Sequence, residues 1–234
     1  MGRHRFCRQT PGRLSVAEIR AGIIQASKSA GRDKKSAKKD LDETLIRLNV
    51  DQIDLWQIHD VRTETDLIKI EDPGGALEAF EEAKKEGKVR FIGVTGHHDP
   101  EILTRAVTQW PVDSVMMPVN PVEAALGGFL TQTLPTAKSK GIAVIGMKIL
   151  GAGHYIAPHL GVTPELLIRF ALDQDISVAI VGCASPAEVG TLAAMGRAKD
   201  PLTEKERNQL IATFTPQARE LAFYRSGWKR SKKK

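Results

Sequence analysis

The chain has 234 residues, 41% of them hydrophobic and 26% charged, an ordinary balance for a globular α/β domain that buries a real core. No apolar run approaches the ~20 residues that cross a bilayer, the basic stretch Met1–Arg13 lacks the apolar segment of a secretory signal, and two cysteines, Cys7 and Cys183, exclude a disulfide framework. The net charge of +6 sits largely in the C-terminal run RSGWKRSKKK and in the N-terminal stretch, with no recognition-helix or RNA-binding motif, so no nucleic-acid partner, no membrane and a reduced, cytoplasmic setting are expected.

From Ile23 onward a unit repeats: a short apolar run, a polar loop, an amphipathic helix, a turn. Ile23–Ser27 is the first predicted strand. Ser36–Leu48 places Leu41, Leu45 and Leu48 on one helical face. The second strand is Ile53–Ile58, with Asp51 and Asp54 expected to serve its turn. A helix over Gly74–Lys85 turns Leu77 and Phe80 inward, and Gly87 suits its C-terminal cap. Val89–Thr95 is the third strand, and Asp99 followed by Pro100 is a helix start running to Gln109. Ser114–Pro118 is the fourth strand, with Met116 and Met117 as core, and a helix follows around Phe129–Lys140. Ile142–Met147 is the fifth strand, with a helix over Pro164–Asp173 capped by Thr163. Ser177–Val181 is the sixth, followed by a helix from Ser185-Pro186 and a last helix over Thr203–Phe214.

Apolar strands alternating with helices of ~10–14 residues predict a parallel sheet with right-handed crossovers, hence an open doubly wound sheet or a barrel. The loop after the first strand has no G-x-G-x-x-G, and the short, even units favour a (β/α)8 barrel. Six units are two short of eight, so the expectation is a TIM-barrel type lacking about its first two strand-helix units. The expected organisation is a basic irregular segment over 1–22, the partial barrel over 23–220 and a basic tail over 221–234.

Loops at the C-terminal ends of parallel strands converge over the sheet, which sorts the polar residues. Lys28 and His59 follow the first two strands, Thr95-Gly96-His97-His98 the third, Asn120 the fourth, Lys148 the fifth and Gly182-Cys183-Ala184-Ser185 the sixth. Adjacent His97 and His98 do not share a face on an extended segment, and no third ligand is evident, so no metal site is expected.

The stretch IIQASKSAGRDKKSAKKDLDETLIRLNVDQIDLWQIHD, together with EGKVRFIGV, GIAVIG and VGCASPAE, resembles the aldo-keto reductases. The likeness covers nearly everything from Ile23 to about Phe214. It implies an NAD(P)-dependent oxidoreductase that moves hydride between a nicotinamide dinucleotide and a small aldehyde or ketone. Lys28 matches the family's lysine and His59 its histidine, serving a carbonyl oxygen that gains negative charge. The family's tyrosine and aspartate belong to a D-T-A-x-x-Y-G segment that this sequence does not contain; Tyr155 and Tyr224 lie far downstream. The alternative is therefore an impaired, truncated barrel that at most binds dinucleotide.

By the same resemblance Lys148, Leu150, Gly151 and Gly153 are placed for the pyrophosphate, and Gly182, Ala184, Ser185 and Glu188 for the adenosine end. Thr95 stands, with Gly96, in place of a serine-asparagine pair for the nicotinamide amide, and Asn120 trails the fourth strand on the same side. Met116 replaces a glutamine and Met147 a stacking aromatic. Glu188 stands where many members carry an arginine for the 2′-phosphate, which tilts the expectation from NADP towards NAD.

Overall fold

The computed structural model describes residues 20–198 and 200–227; the rest of the expected N-terminal segment and tail lies outside them. Chain order is β1 (Ala26–Ser29), α1 (Lys34–Leu48), β2 (Ile53–Ile58), α2 (Glu64–Glu71), α3 (Ala76–Lys85), β3 (Val89–Thr95), α4 (Pro100–Gln109) and β4 (Ser114–Pro118). It continues with α5 (Pro121–Leu126), a π-helical turn (Phe129–Thr133), α6 (Leu134–Ser139), β5 (Ala143–Met147), α7 (Pro164–Leu172), β6 (Val178–Ala179), α8 (Pro186–Ala198), α9 (Glu204–Phe214) and α10 (Ala218–Leu221). Every strand pairs in parallel with the next, giving one six-stranded sheet in the order β1-β2-β3-β4-β5-β6, the expected barrel-type α/β arrangement.

Local chemistry sets most boundaries. Asp33 accepts from the backbone N–H of Ser36 to start α1, and Asn49, left-handed at φ 53°, ends it. Asp99 caps α4 with Pro100 at its first position, while Thr203 and Glu206 close a capping box on α9. Gly87, at φ 75°, turns the chain out of α3 as expected. The sheet buries its two faces unequally. On the helix side Trp56 stacks on Phe80 with centroids 3.6 Å apart, at the heart of a cluster that includes Ile58, Val94, Val115 and Val144. The concave side carries a small cluster of Leu55, Met116 and Ile145 with Met147 against it, and Phe91 there stays 44% exposed.

Four expectations are corrected. The first strand lies three residues later than its apolar run: Ile24 is 83% exposed, and the register pairs Ala26 with Leu55 and Lys28 with Gln57. Cross-strand pairing, not hydropathy, decides, and Lys28 therefore sits within β1 rather than after it. Asp54 serves no turn; it is buried inside β2, accepts from the backbone N–H of Gln25 and pairs with Arg20 and Arg90. Two short helices, α2 and α5, occupy segments to which the sequence assigned no element, because eight and six residues are too short for a clear period. The expected tail from 221 is not free at its start: Ala222 and Tyr224 are buried against the sheet's C-terminal rim.

Candidate active site at the strand ends

The singled-out residues stand at the C-terminal ends of all six strands. Lys28 projects from β1 as an exposed side chain, and its partner across the sheet, Gln57, is wholly buried with neither amide atom hydrogen-bonded. His59 leaves β2 directly beside it. Its N–H donates to the Ser29 carbonyl at 2.9 Å, and its own carbonyl accepts from Arg32 at 2.9 Å, so the backbone under the imidazole is tied to the β1 loop. Burial holds the His59 imidazole below its usual 6.5; Asp60 opposes this, and the positive charges of Lys28, Arg32 and Arg62 reinforce it.

Asp60 is left-handed at φ 55°, an uncommon backbone for a non-glycine residue. Its N–H donates to the Thr95 hydroxyl at 2.8 Å and its carbonyl accepts from Arg32 at 2.8 Å. Burial pushes its carboxyl up, but the Arg62 bond, with the charges of His97, Arg62 and His59, holds it below 3.8. Thr95 is thus buried and committed to the β2 loop.

Asn120 has no exposed surface. Its Oδ1 accepts from Glu123 N at 3.0 Å to start α5, and its Nδ2 donates to the Lys148 carbonyl at 3.2 Å and the Tyr224 hydroxyl at 3.1 Å. It therefore reaches a ligand only through Lys148, whose left-handed backbone at φ 58° it holds. The Lys148 ammonium lies 5.9 Å from the Phe223 ring and 5.8 Å from the Tyr224 ring.

Both tyrosines are spoken for. Tyr155 is 1% exposed, donates to the Leu221 carbonyl at 3.2 Å, and burial raises its pKa to about 12. Tyr224 donates to Glu123 Oε1 at 2.8 Å, and burial pushes its phenol well above 10. Glu123 has no exposed surface and pairs with Arg225, whose guanidinium also donates to the Gly127 carbonyl at 2.5 Å. Ser226 N–H then donates to the His98 carbonyl at 2.7 Å. Residues 222–226 thereby strap the β3, β4 and β5 loops together. Neither tyrosine replaces the acid-base group expected from the resemblance.

A cleft of about 430 Å³ opens between the β5 and β6 loops, lined by Leu150, Gly153, Gly182, Cys183 and Glu188 among others. A Cβ at Gly153 or Gly182 would meet nothing within 4 Å, so backbone there faces open space. Gly151, at φ 54°, lies under this loop, where a Cβ would come within 2.6 Å of the Tyr155 ring. Ser185 accepts from Glu188 N at 3.3 Å, and the Glu188 carboxylate accepts from Ala184 N at 2.6 Å, so a negative charge already occupies the start of α8. Open backbone on two converging loops fits a dinucleotide. Among the described residues no group of three His, Cys, Asp or Glu is placed to hold a metal ion, and no helix is long and apolar enough to cross a membrane.

Sequence reasoning missed two features. The Glu123–Tyr224–Arg225 network had no signal, since Glu123 reads as an ordinary acid in a first helical turn. Asp60 and His97 were visible, but only folding shows that they face each other.

Known proteins resemble the chain in sequence and in fold. The aldo/keto reductase family model matches residues 23–157, more than half of the chain. L-galactose dehydrogenase of Arabidopsis thaliana is 33% identical over 118 residues, covering 50% of this chain and 35% of that protein. An NADP(+) aldo-keto reductase of Schizosaccharomyces pombe is 30% identical over 116 residues, covering 50% of this chain and 32% of its own length. The matches thus span about a third of these curated relatives. In fold, the holo form of an aldo-keto reductase from Bacillus halodurans superposes with a TM-score of 0.70 at 22% identity, over 85% of this chain and 74% of that one. A Klebsiella pneumoniae aldo-keto reductase in complex with NADPH gives 0.66 at 22% identity, over 86% and 72%. With the matched segment running from β1 through the β5 loop, the chain belongs to the aldo/keto reductase family.

Proposed function

We propose that the chain holds a nicotinamide dinucleotide across the β5 and β6 loops and presents its reactive end to Lys28 and His59, where a small aldehyde or ketone is reduced. The cleft between those loops carries this reading, because Leu150, Gly153, Gly182 and Glu188 line one cavity although they come from separate segments. Lys148 and Gly151 adjoin its β5 lining in the chain, and Ala184 and Ser185 adjoin its β6 lining at Gly182 and Cys183. When bound, the dinucleotide supplies the hydride. The chain's own groups then serve the carbonyl oxygen: the Lys28 charge and the His59 imidazole stabilise it as it becomes negative. Thr95 and Asn120 act one step back, by holding the Asp60 and Lys148 loops.

NAD is the preferred form in this reading. The Glu188 carboxylate at the start of α8 repels a 2′-phosphate and occupies the Ala184 N–H such a phosphate would use. One observation favours binding without turnover as a second reading: both tyrosines of the chain are buried and engaged. Calorimetric titration with NADH and NADPH, followed by NADH oxidation with a simple aldehyde, separates these cases. Saturable binding, tighter for NADH, with turnover abolished by Lys28→Met or His59→Ala, is the expected result. Binding without turnover selects the second reading. No saturable binding of either dinucleotide refutes both.

A further inference from the structure

The β5 loop lines the cleft, and its backbone takes a shape that must be held from outside. We propose that Tyr224 is a positioning residue for the dinucleotide: its hydroxyl ties both ends of the turn over 148–155 to the C-terminal strap, so that docking of the strap and binding in the cleft are coupled. This rests on the dinucleotide reading above.

Three observations carry it. First, the turn is conformationally costly. Lys148, Gly151, Ala152 and Gly153 are all left-handed, at φ 58°, 54°, 55° and 90°, and two of these four carry a Cβ that disfavours the region. Such backbone persists where its surroundings over-determine it. Leu150 and Gly153, which line the cleft, lie inside this turn, and Ile156, which also lines it, follows directly.

Second, the Tyr224 hydroxyl supplies the outside hold. It donates to Glu123 Oε1 at 2.8 Å, accepts from Asn120 Nδ2 at 3.1 Å, and lies 3.4 Å from the Tyr155 hydroxyl, whose proton it shares with the Leu221 carbonyl. One donor and two acceptor sites are thus all used. Asn120 Nδ2 carries the hold to the start of the turn, because the Lys148 carbonyl it meets at 3.2 Å also accepts from Gly151 N–H at 3.0 Å. Tyr155 carries it to the end, with its ring packed where Gly151 has no Cβ. Burial and the Glu123 charge push the Tyr224 phenol well above 10, so it remains a donor at neutral pH.

Third, ring contacts repeat the grip. Phe223 meets the His154 ring edge-on with centroids 5.3 Å apart, and the Lys148 ammonium stands near both the Phe223 and Tyr224 rings. Two neighbouring strap residues therefore hold both ends of one turn.

The consequence is a linkage. Apparent affinity falls with the fraction of chains whose turn is formed, and a bound dinucleotide must hold the strap in return. Tyr224→Phe cuts the link and leaves every partner another bond: Glu123 keeps Arg225, Asn120 keeps the Lys148 carbonyl, and Tyr155 keeps the Leu221 carbonyl.

Calorimetric titration with NADH and amide hydrogen exchange test the coupling. Tyr224→Phe is expected to raise the NADH Kd by at least threefold and up to about tenfold, the scale of one lost hydrogen bond. In the free chain it should speed exchange at the Gly151, Gly153 and Tyr155 amides. Trp56→Phe, a core change away from the cleft, should alter neither quantity. A smaller rise in Kd for Tyr224→Phe, unchanged exchange in the turn, or an equal rise for Trp56→Phe overturns the proposal and leaves the dinucleotide reading intact. The wild-type chain gives a test that needs no variant: saturating NADH should slow exchange at the Arg225 and Ser226 amides, and no slowing there overturns the coupling. Absence of saturable NADH binding by the wild-type chain sinks the dinucleotide reading, and with it the role of Tyr224 towards that ligand.

Discussion

Replacing Arg225 with Met is the sharpest test of how the C-terminal strap holds the rim. The guanidinium pairs with Glu123, whose side chain is 0% exposed against 17% for Arg225, and stands over the Phe129 ring at 5.1 Å. Methionine keeps much of the apolar stem but removes the charge, leaving a carboxylate in the interior with the Tyr224 hydroxyl as its remaining side-chain donor. Breaking a buried pair from one side costs about 3–5 kcal/mol, because the stranded charge dominates the loss. At ~2–4 °C per kcal/mol for a domain of this size, the melting temperature should fall by roughly 6–20 °C.

The sign with pH is fixed by Glu123. Burial already holds its carboxyl above 4.5 despite Arg225, and losing Arg225 raises it further. A carboxyl raised in the folded state stabilises fully below its unfolded pKa and loses that contribution as pH rises through the folded value. The deficit of Arg225→Met should therefore be smallest near pH 4.5 and grow towards pH 7. Urea unfolding followed by tryptophan fluorescence reads it directly, and adding Glu123→Gln to Arg225→Met should recover most of the loss at pH 7. A deficit under 1 kcal/mol at pH 7, or no recovery in the double variant, refutes the buried-charge reasoning.

Other outcomes follow from single contacts. Trp56→Ala removes the stacked partner of Phe80 and should cost about 3–5 kcal/mol in urea unfolding. Trp56→Phe should cost clearly less, since the indole N–H has no partner to lose. Asp54 is held at about 2 by the Gln25 N–H, Arg90 and Arg20 against burial, which acts to raise it. Its contribution to stability is complete above about 3.8 and is lost as pH falls towards 2, so Asp54→Asn should flatten the acid limb of a melting-temperature profile.

Regular elements were legible where local signals agreed. The bounds of β2, β3, β4 and α4 match the sequence reading, because apolar runs of strand length end at turn residues and Asp99-Pro100 marks a helix start by its own chemistry. Where local signals conflicted with pairing, the reading slipped. Ile23-Ile24 looks more strand-like than Ala26–Ser29, yet hydrogen bonding to β2 selects the latter, so Lys28 moves from loop to strand. The helix expected over Phe129–Lys140 splits into a π-helical turn and α6.

Arg225, at the start of the basic C-terminal run, shows the limit of reading by composition. A run of Arg, Ser, Gly and Lys has the composition of a solvated tail, but composition cannot show that Arg225 meets a buried carboxylate 102 residues earlier.

By itself the sequence determined the alternation of strands and helices and the family, because strand periodicity, caps and an ordered string of motifs are local properties. It also placed His59 at the end of a strand. Tertiary structure alone decided which of these groups meet. Lys28 enters the sheet because of a register, and Asn120 is withdrawn from any ligand because its three hydrogen bonds lie inside. Asp60 faces His97 because a left-handed residue and Arg62 aim one carboxylate oxygen at an imidazole on the neighbouring loop. Such pairings join segments 28 to 104 residues apart, and no local pattern encodes a contact that exists only once the sheet has brought its loops to one rim.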